Sequence, residues 1–172
     1  MSNRPNTEAI RIDPATERDV PQILLFIRGL AEYEKLSHQC IATEGSLRQT
    51  LFGERAYAEV LIGRLNEIPV GFALFFHNYS TFLAKPGIYL EDVFVVPEHR
   101  GAGVGKALMK RVAQIACERG CGRFEWSVLD WNVPSIEFYK RIGAQVLPDW
   151  RICRMTEEQI AKLANDDMAS PL

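Results

Sequence analysis

A glycine-rich stretch beside one cationic side chain is the first place where this sequence could do chemistry. An apolar run at 93–96 stops at Pro97, and the turn at 100–105 reads Arg-Gly-Ala-Gly-Val-Gly before apolar residues recur at helical spacing from Val104. A strand, a glycine loop and a helix in this order direct backbone N–H groups and the helix dipole at an anion, and glycine permits close approach. The stretch predicts phosphate binding, against the alternative of an ordinary strand-to-helix turn.

The spacing of the glycines decides between phosphate ligands. A dinucleotide fingerprint needs a further glycine where Lys106 stands, so that motif is excluded. A Walker A loop needs a glycine in place of Arg100 and Ser or Thr in place of Ala107, so it is excluded as well. What remains is the pattern Arg/Gln-x-x-Gly-x-Gly/Ala, which Arg100, Gly103 and Gly105 satisfy.

A second pattern lies downstream at 132–144, which reads Asn-Val-Pro-Ser-Ile-Glu-Phe-Tyr-Lys-Arg-Ile-Gly-Ala. Together with the loop at 100–105 it resembles the GNAT acetyltransferases, whose pyrophosphate loop binds acetyl-CoA. The resemblance covers residues 10–164. It implies an acetyl-CoA-dependent N-acetyltransferase that uses no metal, with direct attack of an amine in a ternary complex.

Within that superfamily, several segments resemble the diamine (spermidine/spermine) acetyltransferases, among them 30–35, 89–92 and 138–140. The forms at 34–37 and 128–132 look closest to the thialysine-acetylating branch. Polyamine recognition in that family relies on several carboxylates, one of them in the loop before the strand that carries 89–92. Here that region, 79–82, reads Tyr-Ser-Thr-Phe without an acid, which favours a shorter amine over a long polyamine.

Acetyl transfer needs a base for the amine, whose ammonium form has a pKa of about 10.4, and an acid for the departing thiolate. The resemblance places Glu91 and Asp92 near the amine. We interpret Glu91 as the base, acting through water, and Asp92 as the group that holds the cation; the alternative is a polar pair on an exposed strand. Tyr139 is the predicted acid, against the alternative of a core tyrosine. The oxyanion donor is predicted to be backbone, from a kink near Val93.

The resemblance also implies the residues that bind each substrate. An added-strand interaction with the pantetheine amides would use the backbone of Val93, Phe94 and Val95. The pyrophosphate would be bound by Arg100, Gly101, Ala102, Gly103, Val104, Gly105 and Lys106, although a solvated role for Lys106 stays open. Asn132, Ser135 and Tyr139 would also contact the cofactor, with helix capping by Asn132 as the alternative. Because a carboxylate beside an aromatic ring suits an ammonium, the amine-binding residues would be Tyr33, Glu34, Glu91, Asp92, Glu125, Trp126 and Ser127; a core position for Trp126 stays open.

The elements that must position these residues can be read in order. A short strand at 10–12 precedes a helix that is capped by Thr16 or Asp19 and ends near 33–35. This helix carries an apolar stripe at Ile23, Phe26, Ile27 and Leu30. Thr43 caps a second helix that stops at Gly53. Strands are predicted at 57–62, 70–76 and 88–96, with a loop over 77–87 that turns at 85–87. The helix after the glycine loop runs to Arg119.

Beyond that helix we predict a strand at 124–129, a helix from Pro134 to Gly143, closing strands at 144–147 and 151–155, and a last helix from 156. Hairpin-linked strands and one crossover between parallel strands make the class α+β. The predicted fold is therefore a GNAT-like mixed, mostly antiparallel central sheet flanked by helices, in a single domain at 10–164. A disordered extension at 1–9 and a flexible tail at 165–172 complete the chain.

Composition narrows the class of protein further. The 172 residues are 47% apolar with a net charge of −2, which fits a globular protein and does not indicate nucleic-acid binding. No apolar run is long enough to span a membrane, and the first residues lack the apolar core of a signal peptide. Scattered cysteines without a zinc-site spacing suggest reduced thiols in the cytoplasm.

Two alternative functions stay open from the sequence. The acceptor could be a protein or peptide amine, or the chain could be a non-catalytic module that binds acetyl-CoA. The resemblance also implies a homodimer, in which the segment 151–155 could cross between subunits.

Overall fold

The computed structural model describes residues 9–165, so most of the predicted extension at 1–9 and tail at 165–172 lies outside the described residues. The strands are β1 (Ile10–Pro14), β2 (Glu59–Leu65), β3 (Ile68–Ser80), β4 (Lys85–Val95) and β5 (Phe124–Trp126). The α-helices are α1 (Val20–Tyr33), α2 (Glu44–Phe52), α3 (Val104–Glu118), α4 (Val133–Arg141) and α5 (Glu157–Ala164).

The five strands form one sheet in the order β1-β2-β3-β4-β5. The first four make an antiparallel meander, and β5 pairs with β4 in parallel after the crossover through α3. The α+β class and the mostly antiparallel sheet are therefore confirmed. The chain divides into two units, Met1–Ser127 and Val128–Leu172, and the whole sheet lies in the first.

One face of the sheet packs against α1 and α2. The predicted apolar stripe of α1 is confirmed, because Ile23 and Phe26 are fully buried in a cluster that also contains Phe72 and Phe94. The Phe26 ring stacks on Phe72 at 5.7 Å between centroids and lies 6.4 Å from Phe94. Gly29 faces the Phe94 ring, which a Cβ at position 29 would approach to 2.9 Å. Where α1 packs on the sheet, the core is thus aromatic.

The opposite face packs against α3. The helical spacing predicted from Val104 is confirmed by four buried side chains on one side of α3, at Val104, Leu108, Val112 and Ile115. At Gly63 of β2 an added Cβ would lie 2.7 Å from Val104 Cγ1, so glycine lets α3 approach the sheet closely there. The helix ends where predicted, since Gly120 adopts a φ of +65° just beyond Arg119.

The hairpin of β3 and β4 is longer than the sequence predicts. The predicted loop at 77–87 is wrong, because β3 continues to Ser80 and β4 begins at Lys85. The predicted turn at 85–87 is also wrong: these residues pair with 78–80 across the hairpin. Pro86 is tolerated at the second position of its strand. Gly87 serves close packing instead of a turn, since its φ is not positive and a Cβ there would lie 2.3 Å from Asn78 Oδ1.

We expect Gly87→Ala to lower the free energy of unfolding by about 1–3 kcal/mol, because the added methyl group overpacks a buried position. A urea unfolding curve measures this change. Gly45→Ala is the matched control, since the nearest atom to a Cβ in that helix is 3.9 Å away and alanine favours helix. A Gly87→Ala midpoint equal to that of Gly45→Ala would contradict the packing role of position 87.

The end of the chain departs most from prediction. The strand predicted at 124–129 is confirmed only over Phe124–Trp126, and the closing strands predicted at 144–147 and 151–155 are wrong. The reason is that a short apolar segment forms a strand only beside a partner strand, and within residues 9–165 no strand pairs with these segments. Several of their apolar side chains are instead exposed, among them Val146, Leu147 and Ile152.

The two helices of the second unit follow their local signals. Asn132 caps α4 through its side chain, Pro134 lies in the first turn, and Gly143 follows the helix with a φ of +97°. Thr156 caps α5 in a reciprocal arrangement with Gln159. Over residues 9–165, none of the helices has the length and apolarity that crossing a membrane requires.

Candidate active site

A β-bulge in β4 organises the first unit's candidate site. Leu74 of β3 pairs with Asp92, whereas the next residue, Phe75, pairs with Leu90, so Glu91 is the extra residue of β4. A bulge reverses the alternation of side chains beyond it. Leu90 therefore faces α3, and Asp92 faces the α1 side although it lies two positions further along. The predicted kink near Val93 is found two residues earlier.

The bulge brings three carboxylates together. Asp92 shares its face with Phe94, against which α1 packs, and the C-terminal end of α1 supplies Glu34. Burial, together with the neighbouring charges of Glu91 and Glu34, raises the pKa of Asp92 to about 7. Burial also raises the pKa of Glu34. Such a group of carboxylates favours a cationic ligand, because each of them is stabilised by a positive charge.

The edge of β4 is open beyond the bulge. Its pairing with β5 stops at Leu90 and Trp126, and within the described residues only β3 pairs with the last part of β4. The Val96 N–H group donates to Val70 of β3, so by alternation the peptide groups of Val93 and Val95 point to the open edge. These are the backbone groups that can bind the amides of an extended ligand.

The glycine loop continues from this open edge into α3. Gly101 and Gly103 have φ angles of +84° and +92°, which glycine adopts without strain. The first helical hydrogen bond joins the Ala107 N–H group to the Gly103 carbonyl, so the amides of 104–106 stand at the helix start, where an anion is favoured. Ala102 and Lys106 are exposed. The loop geometry fits a phosphate group.

The side chains of two predicted cofactor residues are part of the core. Phe94 is 6% exposed and Val104 is 1% exposed. Both can therefore take part in binding only through their backbone atoms, and their side chains serve packing. Gly105 lies in the first turn of α3 and faces β4, since a Cβ at position 105 would lie 3.7 Å from Val95 Cγ2.

Arg100 lies between the loop and the end of α1. Its Nε donates to the Val95 carbonyl at 3.0 Å, and its guanidinium lies 4.5 Å from the centroid of the Tyr33 ring. This cation–π contact connects a predicted cofactor residue to a predicted amine-binding residue. Arg100 and Tyr33 are thus brought together beside the open edge of β4.

The predicted amine-binding residues Glu125, Trp126 and Ser127 do not all lie on the same face of the sheet. Glu125 lies beside Tyr89 and Trp126 beside Leu90, so their side chains point to opposite faces of the sheet. Trp126 packs on Phe124 at 4.9 Å on the α3 side, away from Asp92. The Ser127 hydroxyl lies 2.7 Å from the Tyr89 hydroxyl. Glu125 and Ser127 therefore belong to the face of the carboxylates, whereas Trp126 does not.

The remaining predicted residues lie in the second unit. Asn132 is buried, and its side chain accepts a hydrogen bond from the Ser135 N–H group at 3.4 Å, so the capping interpretation is confirmed. Tyr139 is buried in α4, with its ring 5.5 Å from that of Phe138. The cofactor roles of Asn132 and Ser135 and the acid role of Tyr139 stay predictions.

Sequence reasoning missed the residues that hold Glu125. The Asn78 amide donates to Glu125 Oε2 at 2.8 Å, and Arg123 Nε lies 2.8 Å from the same oxygen. The signal that could have found Arg123 is its position two residues before Glu125, just ahead of β5, because an extended backbone places both side chains on one face. No local signal marks Asn78, because the sequence predicts a loop over 77–87 and the structure has β3 there.

Comparison with known proteins agrees with this geometry. A model of the acetyltransferase (GNAT) family matches residues 29–144. The chain is 39% identical over 165 residues to thialysine N-epsilon-acetyltransferase of Mus musculus, covering 90% of this chain and 96% of that protein. It is 36% identical over 195 residues to L-ornithine N5-acetyltransferase NATA1 of Arabidopsis thaliana, covering 87% and 86%. An integron cassette protein from the mobile metagenome of V. cholerae has a similar structure, with a TM-score of 0.75 at 26% identity over 91% and 98% of the two chains.

The family match extends over most of the sheet, the glycine loop and α4. Several relatives are more than 30% identical over nearly their whole length. The chain therefore belongs to the GNAT family of acetyltransferases and is an acyltransferase.

Proposed function

We propose that this chain transfers the acetyl group of acetyl-CoA to the primary amine of a small molecule, such as a diamine, a polyamine or a thialysine-like amino acid. The observation that carries the proposal is the position of Asp92, Glu91 and Glu34 beside the open edge of β4. A cationic amine bound by these carboxylates would lie next to an extended thioester ligand bound along the open edge of β4. The names of the relatives, which act on thialysine and L-ornithine, support an amine of this size.

Acetyl-CoA fits the residues available in the first unit. The peptide groups of Val93 and Val95 would bind its pantetheine amides, and the amides of 101–106 would bind its pyrophosphate. Bound there, the cofactor supplies an activated acetyl group. Arg100 would turn from the Val95 carbonyl toward the phosphates, which frees that carbonyl for the pantetheine.

The carboxylates would bind the ammonium and accept its proton. In this proposal Asp92 takes the proton from the attacking nitrogen, because its raised pKa of about 7 suits a base near neutral pH. Glu91, which is exposed at the bulge, keeps a negative charge beside it. The reverse assignment, which the sequence predicts, has Glu91 as the base acting through water. Tyr139 is proposed as the acid that protonates the departing thiolate.

The experiment that tests the function is release of the CoA thiol from acetyl-CoA across a panel of acceptors at about pH 8. The panel contains putrescine, spermidine, spermine, ornithine, thialysine, lysine and a lysine peptide. Turnover with one small amine, with the product mass raised by one acetyl group, is the expected result. Turnover with the peptide alone would favour the protein acceptor. Binding of acetyl-CoA without turnover of any acceptor would favour the non-catalytic module.

We further propose that the chain forms a homodimer in the cytoplasm. The exposed apolar side chains of 144–155 support an interface, since Trp150 is 80% exposed and Ile152 is 68% exposed. In the dimer, the segment 151–155 would find the strand partner that it lacks within the described chain. The cysteines, which are free thiols throughout residues 9–165, fit a reducing compartment.

We expect sedimentation equilibrium to give twice the chain mass of 19.5 kDa. Trp150→Glu should shift the mass toward one chain, because a charge would then be buried at the interface. Tyr57→Glu, at an exposed aromatic residue of the first unit, is the control. A wild-type species of 19.5 kDa alone would contradict the dimer.

A further inference from the structure

One face of the sheet carries a row of polar side chains that leads away from the proposed site of acetylation. Asp92 pairs with Leu74 and Tyr89 pairs with Phe76, which lies two residues further along β3, so Asp92 and Tyr89 share a face. Glu125 lies beside Tyr89 in the neighbouring strand and points to the same side. The row therefore runs from Asp92 past Tyr89 to Glu125.

At its far end the row presents an anion and a cation side by side. Arg123 Nε lies 2.8 Å from Glu125 Oε2, and the Arg123 Nη2 group also donates to the Tyr79 carbonyl at 3.0 Å. The Asn78 amide donates to Glu125 as well, at 2.8 Å. The side chains of Arg123 and Glu125 are 36% and 38% exposed, so both remain accessible to a ligand.

The distance from Asp92 to Glu125, the two ends of the row, suits a short substrate. Three residues of bulged strand span about 7–10 Å, and the step to the next strand adds about 4.8 Å sideways. An extended amino acid of the length of ornithine spans about 7 Å from its side-chain nitrogen to its carboxylate, at about 1.5 Å per bond. A charge-assisted hydrogen bond of about 2.8 Å at each end of the substrate brings its total span to the separation of Asp92 and Glu125.

We propose that Arg123 and Glu125 bind the zwitterionic head of an α-amino acid whose side-chain amine is acetylated beside Asp92. Arg123 binds the α-carboxylate and Glu125 binds the α-ammonium. The inference rests on the proposed function and narrows its acceptor to amino acids. A zwitterion matches a neutral ion pair in both charges, whereas the second ammonium of a diamine is repelled by Arg123 as strongly as Glu125 attracts it.

Three acceptors of one chain length test this assignment. Ornithine carries both head groups, putrescine lacks the carboxylate, and 5-aminopentanoate lacks the α-ammonium. For the wild-type chain we expect kcat/KM to be at least tenfold higher for ornithine than for either truncated acceptor. Arg123→Gln should lower kcat/KM for ornithine by about 10- to 100-fold, mainly through KM. For putrescine it should raise kcat/KM, because the repulsion of the second ammonium is removed while the attraction by Glu125 remains. Glu125→Gln should remove the preference for ornithine over 5-aminopentanoate.

Arg119→Gln is the matched control, because Arg119 pairs with Glu59 elsewhere in the same unit at a similar exposure. If the Arg123–Glu125 pair only holds β5 in place, Arg123→Gln will lower kcat/KM for all three acceptors equally, and the proposal is overturned. Arg123→Lys keeps the charge without the paired donors and should give an intermediate ratio, which also serves if Arg123→Gln fails to fold.

Different outcomes would overturn the head-group site and the amine acetyltransferase activity. Wild-type turnover of putrescine that equals that of ornithine would overturn the head-group site and leave the amine acetyltransferase standing. Absence of turnover with every acceptor, despite binding of acetyl-CoA, would overturn both.

Discussion

Asp92→Asn is expected to lower kcat/KM for the amine by about 100- to 1,000-fold, with the KM for acetyl-CoA changed less than threefold. The substitution removes both the charge that attracts the ammonium and the base that accepts its proton, and a positioned base contributes about this much. Thiol release at varied amine and fixed acetyl-CoA measures the effect. Glu98→Gln, at an exposed carboxylate before the glycine loop, is the control and should leave both constants unchanged.

Comparison with Glu91→Gln assigns the base within the pair. If Asp92 is the base, Glu91→Gln will lower kcat/KM by about tenfold or less, because only a nearby charge is lost. A loss in Glu91→Gln that exceeds the loss in Asp92→Asn would instead establish Glu91 as the base. A loss below tenfold in both variants would contradict a catalytic role for these carboxylates.

The pH dependence of the wild-type chain follows from the same pKa. Burial and the adjacent carboxylates hold the pKa of Asp92 at about 7, so below that pH the group is protonated and neither attracts the amine nor accepts a proton. We therefore expect kcat/KM to fall about tenfold per pH unit below pH 7. In Asp92→Asn this acidic limb should disappear, which distinguishes the titration of Asp92 from that of the substrate.

The raised pKa also has a consequence for stability. The pKa of Asp92 in the folded chain lies above its ordinary value of about 3.8, so the folded state binds the proton more tightly and loses stability as pH rises from about 4 through 7. Asp92→Asn should therefore be more stable than the wild type at pH 8, by up to about 4 kcal/mol, and nearly equal to it at pH 4. A gain in stability together with a loss of activity would show that misfolding does not explain the inactive variant.

Tyr139→Phe is expected to lower kcat by about 100- to 1,000-fold and leave the affinity for acetyl-CoA within threefold. The variant removes one hydroxyl group, keeps the buried ring and so preserves α4, while the departing thiolate loses its proposed proton donor. Single-turnover thiol release separates this chemical step from product dissociation.

The matched control is Tyr57→Phe, which removes a hydroxyl from an exposed ring in the first unit. Equal kcat values for Tyr139→Phe and the wild type would exclude Tyr139 as the acid. A large rise in the KM for acetyl-CoA at unchanged kcat would instead assign the hydroxyl to cofactor binding.

Local signals in the sequence determined much of the fold and the family. The glycines at 101 and 103, the apolar stripes of α1 and α3 and the caps at Thr43, Asn132 and Thr156 act over one turn or one helix, so their outcome depends little on distant residues. The same local motifs carried the family resemblance, which the match to residues 29–144 confirms.

Only the tertiary structure decided which segments form strands and to which face their side chains point, because both depend on the neighbouring strand. The closing strands predicted at 144–147 and 151–155 have no neighbouring strand within the described residues, whereas the residues at 85–87 form a strand because 78–80 pair with them. The bulge at Glu91 is likewise a property of the pairing between two strands, and it places Asp92 on the α1 side of the sheet, where the charge of Glu34 raises its pKa. The pKa of Asp92 and the hydrogen bond from Asn78 to Glu125 follow from such contacts between residues on different elements.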